Sequence, residues 1–275
     1  SKSPWRPAFV GAWRPDARGN LEYYFLPHVR YGRVSPEPER KQFITESQGD
    51  RGGKYAFPVP DVTGDGREEL AIVGRYGMGF GVLDSGSDLA AGKLRYLADR
   101  PLTGHSSPNM QLPMYFDGSV VRSATPPHCW MGVVALNPGG INYYSAPDFK
   151  PVWAHFTHAP IACHCLYDMD GDGTPDLLVG REDGYVIQYS IADGSVMKRA
   201  FVGGEVRAIA AAGGSVAVGT SNGLMLLDRQ LRRAGMARVA VQAVRVLEMP
   251  APQPPLLAVA LDNGTIAGMR PAGDR

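Results

Sequence analysis

Apolar positions in this chain come in short runs broken by glycine-centred turns. No stretch shows the recurrence at three and four residues that an amphipathic helix needs. "VGREDGYVIQY" from Val179, "VGTSNGLMLLD" from Val218 and "VALDNGTIAGM" from Val259 share one frame: a strand, a short polar turn containing Gly, and a second strand. Asp-Gly and Asn-Gly between apolar runs are strong hairpin signals, because both turn residues tolerate a positive φ. The frame recurs in "VALNPGGINYY" from Val134 and "VGRYGMGFGVLD" from Val73, and more loosely in "VGAWRPDARGNLEYY" from Val10.

Subtracting those Val positions gives intervals of 63, 61, 45, 39 and 41 residues. A period near forty in an all-β chain is the spacing of four-stranded blades set around an axis. A β-sandwich with similar turns has no reason for such a period. The expectation is therefore a single all-β domain over 1–275, a β-propeller with about six recognisable blades. These fall approximately at 1–50, 51–104, 105–158, 159–202, 203–240 and 241–275. The first unit starts with "AFVGAW", which aligns with second strands, and the last reads as three strands, so an additional segment or chain is expected to complete the ring. An unpaired seam would leave open strand edges.

The 34 Gly and 23 Pro among 275 residues suit a turn-rich β fold rather than a helical one. No apolar run reaches the roughly 18 residues of a membrane-spanning helix. No signal-peptide pattern opens the chain, and a mature form with its signal removed would look the same. A net charge of +1 gives no general attraction to nucleic acid.

"DMDGDGTPDLLVGREDGYV" (Asp168 to Val186) places acids at alternate positions of a glycine-containing loop, directly before an apolar strand. Neighbouring carboxylates repel unless a cation sits among them. A hard cation takes six to eight oxygens at about 2.3–2.6 Å. Asp168, Asp170 and Asp172, the Thr174 carbonyl and Asp176 would supply them. The spacing begins like an EF-hand loop, but the loop is shorter and a strand follows it. "DVTGDGREELAIVGR" repeats the frame with Asp61, Thr63, Asp65, the Arg67 carbonyl and Glu69. A metal-free Asp-Gly turn is the bland alternative; two in-register copies argue against it.

These motifs resemble the FG-GAP/VCBS repeat of integrin-type β-propellers. The resemblance implies calcium-binding loops between the first and second strands of two blades. Loops of this kind suit the calcium levels of secreted or periplasmic proteins. Intracellular scaffold propellers, such as those of the Bardet–Biedl complex, also look like "DLLVGREDGYVIQYS", which keeps a cytoplasmic scaffold as the alternative.

The units are unequal. All six His (28, 105, 128, 155, 158 and 164), all three Cys and all four Trp precede Leu166, and the extra loop length lies in the same part, as in 27–54, 84–110 and 137–160. Insertions in a repeat array cluster on a working face. "HFTHAPIACHC" and "HCW" raise a zinc site built from Cys129, His158, Cys163 and Cys165. The spacing matches no standard zinc frame, and Cys also packs well in cores.

The chain resembles propeller-fold polysaccharide lyases more weakly. Such enzymes cleave uronate polymers by β-elimination, with a cation or Arg to neutralise the carboxylate and a His or Tyr to move protons. On this reading His105, Tyr115, Arg122 and His128 are the catalytic candidates. The substrate-binding candidates are Arg75 and Arg181, on the face opposite the calcium loops, and Trp130 and Tyr144, which would stack on sugar rings. The function expected is a calcium-binding propeller that acts on, or binds, an anionic polysaccharide. The alternative is a non-catalytic module that binds a protein or other ligand on its loop face.

Overall fold

The computed structural model describes residues 11–15, 21–25, 53–74, 80–86, 95–100, 117–122, 131–137, 139–247 and 256–269. Every regular element among them is a strand. No helix among the described residues is long and apolar enough to cross a membrane.

The chain forms two compact units, one of residues 1–120 and 132–151 and the other of residues 121–131 and 152–275. In the first, β1 (Gly11–Pro15) and β2 (Leu21–Phe25) make an antiparallel hairpin. Strands β3 (Gly53–Val59), β4 (Glu69–Gly74), β5 (Phe80–Leu83) and β6 (Tyr96–Arg100) form an antiparallel sheet in chain order. Next come β7 (Asp117–Arg122), β8 (Met131–Asn137), β9 (Gly140–Ser145) and β10 (Lys150–Phe156), again neighbours in chain order.

The second unit stacks three further sheets. These are β11 (Ile161–Tyr167) to β14 (Val196–Phe201) by way of β12 (Asp176–Arg181) and β13 (Tyr185–Tyr189), then β15 (Val206–Ala212), β16 (Ser215–Thr220), β17 (Gly223–Leu227) and β18 (Arg233–Ala237), then β19 (Val241–Leu247), β20 (Leu256–Leu261) and β21 (Ile266–Met269). The first strands β11, β15 and β19 lie side by side. The frames from Val73, Val134, Val179, Val218 and Val259 are hairpins between second and third strands, and the one from Val10 is the β1–β2 hairpin; Asn222, for instance, tops the β16–β17 turn.

The middle sheet is buried on both faces, and strand alternation explains how. Val206, Ile209, Ala211, Val216, Val218, Met225 and Leu227 face the sheet before it, packing with Leu178 and Val186. Ala208, Ala210, Ala212, Ala217 and Leu224 face the sheet after it, packing with Val241, Val244, Leu257 and Val259. Fully burying a Leu or Val is worth roughly 1.5–3 kcal/mol, and Leu178, Val216 and Val218 are all fully buried.

Two details repeat from sheet to sheet. The first strand carries a register shift near its start, at Gly53/Tyr55, Ile161/Cys163, Val206/Ala208 and Val241/Ala243. Such bulges bend and twist a strand. The second detail is a glycine late in the second strand. A Cβ on Gly180 would sit 2.5 Å from Val206 Cγ1, and one on Gly219 would sit 2.6 Å from Val241 Cγ1. The Val-Gly pairs read from the sequence therefore mark where the first strand of the next sheet presses in.

Candidate metal centre

Two loops join first strands to second strands, residues 60–68 between β3 and β4 and residues 168–175 between β11 and β12. They share one hydrogen-bonding scheme. In the first, Asp61 Oδ1 accepts the amides of Gly64 (2.6 Å) and Asp65 (3.2 Å), and Oδ2 accepts that of Gly66 (2.7 Å). In the second, Asp168 Oδ1 accepts those of Gly171 (2.6 Å) and Asp172 (3.2 Å), and Oδ2 that of Gly173 (2.9 Å). The glycines take φ values of 80°, 81°, 84° and 86°, in the left-handed region that side chains resist. Arg67 and Thr174 also match: each gives its amide N–H to the acid two residues earlier, Asp65 at 2.9 Å and Asp172 at 2.7 Å.

Charge follows this geometry. The amide of Gly66, then those of Gly64 and Asp65, hold the Asp61 carboxyl below its usual range. Burial pushes Asp168 upward, but the amides of Gly173, Gly171 and Asp172 outweigh it, so this carboxyl also titrates low. Both loops keep their leading acid ionised.

The closing acid differs between the copies. Glu69, 2% exposed, accepts from Val62 N at 2.9 Å and Thr63 Oγ1 at 3.0 Å. Its carboxylate lies with those of Asp61 and Asp65, all three within 4.8 Å of one another. In the second loop the 4.8 Å cluster is Asp168, Asp170 and Asp172. Asp176 is held on Oδ2 by Gln188 Nε2 (2.8 Å) and Met169 N (3.3 Å). Burial, and then the charges of Asp170 and Asp172, raise its carboxyl, against the two hydrogen bonds that lower it. Gln188 is fully buried, and its Oε1 finds no partner among the described residues.

Three convergent carboxylates with only oxygen donors around them fit a hard divalent cation and are a poor match for a soft one. The first loop is tied to its surroundings by Ser85 Oγ, which donates to Asp65 Oδ2 at 2.6 Å; beside the second, Tyr167 at the end of β11 accepts on Oη from Gly214 N of the next sheet at 2.9 Å. Ser85, Gln188 and Tyr167 escaped sequence reasoning. Only Gln188, one amide inside the apolar "YVIQY", left a signal.

Three of the four zinc candidates are described, and they do not come together as a cluster. Cys163 and Cys165 point to the same side of β11 and pack against the cluster of Leu178 and Val206. Burial pushes the Cys165 thiol up to about 12 and raises Cys163 strongly, with the neighbouring Cys165 adding to it. His158 stands exposed in a turn at φ 59°, its ring centroid 4.8 Å from that of Phe156. These three form no metal-holding cluster, and Cys129 lies outside the described residues. Burial keeps the two thiols neutral, and they pack in the apolar cluster.

Of the residues considered for polysaccharide chemistry, Arg75, His105, Tyr115, His128 and Trp130 lie outside the described residues. Arg122 ends β7 and is exposed. Tyr144 is 2% exposed, so its ring is a core group and offers no open face to a sugar. Arg181, at the end of β12 away from the acidic loop, is turned onto Asp183 (Nε to Oδ1 3.0 Å) and lies 5.7 Å from the Tyr185 ring. Nearby, burial, then the charges of His158 and Arg181, lower the His155 pKa, while its ring packs 5.0 Å from Tyr189.

No protein-family model and no curated protein matches the sequence. The fold does match solved structures. The chain is similar to BBS1N in complex with ARL6DN, soaked with lead, with a TM-score of 0.59 at 13% identity over 97% of this chain and 79% of that one. A mercury-soaked form of that complex gives 0.58 at 15%, over 78% and 64%. BamB from Moraxella catarrhalis gives 0.52 at 15%, over 76% and 56%, and Saccharomyces cerevisiae Sqt1 gives 0.51 at 11%, over 72% and 57%. The chain thus spans less than two thirds of the length of several of these neighbours. The fold class is the β-propeller, all-β with four-stranded antiparallel sheets.

Proposed function

We propose that this chain is a non-catalytic binding propeller, a module that docks a protein partner and whose two acidic loops hold calcium. The observation that carries the reading is the pair of matched loops, each gathering three carboxylates within 4.8 Å at the link between first and second strands. Their resemblance to FG-GAP/VCBS loops selects calcium among hard cations, and the oxygen-only donor set agrees with it. The bound ion would neutralise each cluster and tie two adjacent strands together, stiffening the loop face. Asp61, Asp65 and Glu69 would hold one ion, with Thr63 and the Arg67 carbonyl beside them. Asp168, Asp170, Asp172 and the Thr174 carbonyl would hold the other, with Asp176 closing the cage.

Protein docking is preferred over polysaccharide cleavage for a structural reason. The described candidates for the latter, Arg122, Tyr144 and Arg181, are respectively exposed, buried in the core and paired to Asp183. Among the neighbours, BBS1N was solved in complex with a protein, ARL6DN. Calcium loops of this kind support a secreted or periplasmic setting for the module.

Calorimetric titration of the calcium-stripped chain tests the metal half of the reading, with two equivalents expected and none refuting it. Incubation with polyuronates tests the other half: no unsaturated uronate product is expected, and its appearance would overturn the non-catalytic assignment.

A further inference from the structure

A groove of about 450 Å³ runs between β14 and β18, the outermost strands of two successive sheets. Its floor is apolar, made by Val202, Met225, Leu227 and Leu231, all buried. Its wall carries Met236, 47% exposed. Cross-sheet hydrogen bonds bound it at both ends: Lys198 Nζ donates to the Arg229 carbonyl (3.1 Å), and Asn222 Nδ2 donates to the Gly203 carbonyl (2.5 Å). The groove is therefore a built cleft with fixed ends.

Its charge is one-sided. Arg233 is in the lining and no carboxylate is. Lys198 reaches the Arg229 carbonyl at one end, while the Arg229 side chain lies against Gly214, away from the lining. Asp228 is bonded to Arg232 at 2.9 Å, and no ion pair engages Arg233 among the described residues. On the β14 side, and on the β18 side, no further strand pairs with the sheet among the described residues. An open strand edge accepts an extended peptide through main-chain hydrogen bonds, with neighbouring pockets reading its side chains.

We propose that this groove docks an extended, acidic segment of a partner protein, one that seats an apolar side chain on the Met225–Leu227–Leu231 floor and sets a carboxylate on Arg233. The proposal rests on the binding-module reading and gives that module its surface. Methionines suit the task, because their flexible thioethers adapt to an incoming side chain. The Arg233 guanidinium supplies selectivity, since a basic segment would meet its charge in a lining that holds no carboxylate to offset it.

The test is selection of a random displayed peptide library on the full chain, followed by binding of the enriched peptides to Met236→Ala, Arg233→Glu and Ile266→Asp. Ile266 is 74% exposed on β21 and serves as a control surface. The enriched peptides should combine acidic with apolar residues. They should bind roughly tenfold or more weakly to the first two variants and unchanged to the third, with melting temperatures alike throughout. Arg233→Gln should lose binding in the same direction, which separates charge from a failure to fold. Enriched peptides without acids, or ones that bind both groove variants normally, would sink the groove while leaving a binding module intact; no enrichment at all would count against both.

Discussion

Gly180→Ala puts one methyl group where two sheets interlock. The new Cβ would lie 2.5 Å from Val206 Cγ1 and 2.6 Å from Cys163 Sγ. Carbon contacts are comfortable at about 3.5–4.0 Å, so close to 1 Å of clearance is missing on two sides. Val206 is fully buried and cannot swing into solvent. Both obstacles belong to packed strands, and neither is the tip of a flexible chain. Overpacking of this kind costs about 1–3 kcal/mol. For a chain of this size each kcal/mol moves the midpoint by roughly 2–4 °C, so the melting temperature should fall by several degrees. The decisive assay is a double-mutant cycle with Val206→Ala, which removes the clashing methyl group. Gly180→Ala should be milder in that background by more than about 0.5 kcal/mol, the size expected for side chains in contact. Gly219→Ala with Val241→Ala should behave the same way, because the Val241 Cγ1 approach there is 2.6 Å. A Gly180→Ala protein that melts with wild type, or strict additivity in the cycle, would refute the interlock.

Calcium at a hundred times its dissociation constant should add about 2.7 kcal/mol per loop, read as a rise in melting temperature that EDTA reverses; Asp172→Ala should leave one titratable equivalent instead of two. Alkylation followed by peptide mass analysis at pH 8 should leave Cys165, with its thiol near 12, unmodified in the folded protein and label it rapidly in denaturant. His155 has its pKa lowered by burial and by His158 and Arg181. The unfolded chain therefore binds the proton more readily, and the stability this residue supports is present above pH ~6.5 and lost as pH falls below it. His155→Gln should flatten the decline in melting temperature between pH 7 and pH 5.

The sequence made legible those features whose chemistry is local. Asp61-x-Thr63-x-Asp65 and Asp168-x-Asp170-x-Asp172 stand where they were expected, because a loop closed by its own glycine amides needs no distant partner. The Val-Gly frames led to the correct hairpins for the same reason. What depends on long-range packing stayed hidden. Tyr144 reads as a surface aromatic until its burial against neighbouring strands is seen. Cys163 and Cys165 read as ligands until β11 turns both toward Leu178. Gln188 is twelve residues from Asp176, yet it decides how that carboxylate is held; only the register of β12 against β13, with Leu178 opposite Gln188, brings the two into reach. The groove of Met225 and Met236 arises between sheets and has no signature in either strand alone.

The glycine seats have a consequence for how the second unit comes apart. Val206 keys into Gly180, Val241 keys into Gly219, and each of these contacts joins a sheet only to its successor. Such an array behaves as a one-dimensional chain of nearest-neighbour couplings, in which opening spreads from one junction to the next instead of through a common centre. Under a steady pull, or in amide exchange, β19–β21 and β15–β18 would register as separate steps whose spacing reports the strength of the Val241 seat. A strengthened Val206 seat would leave that first step where it was.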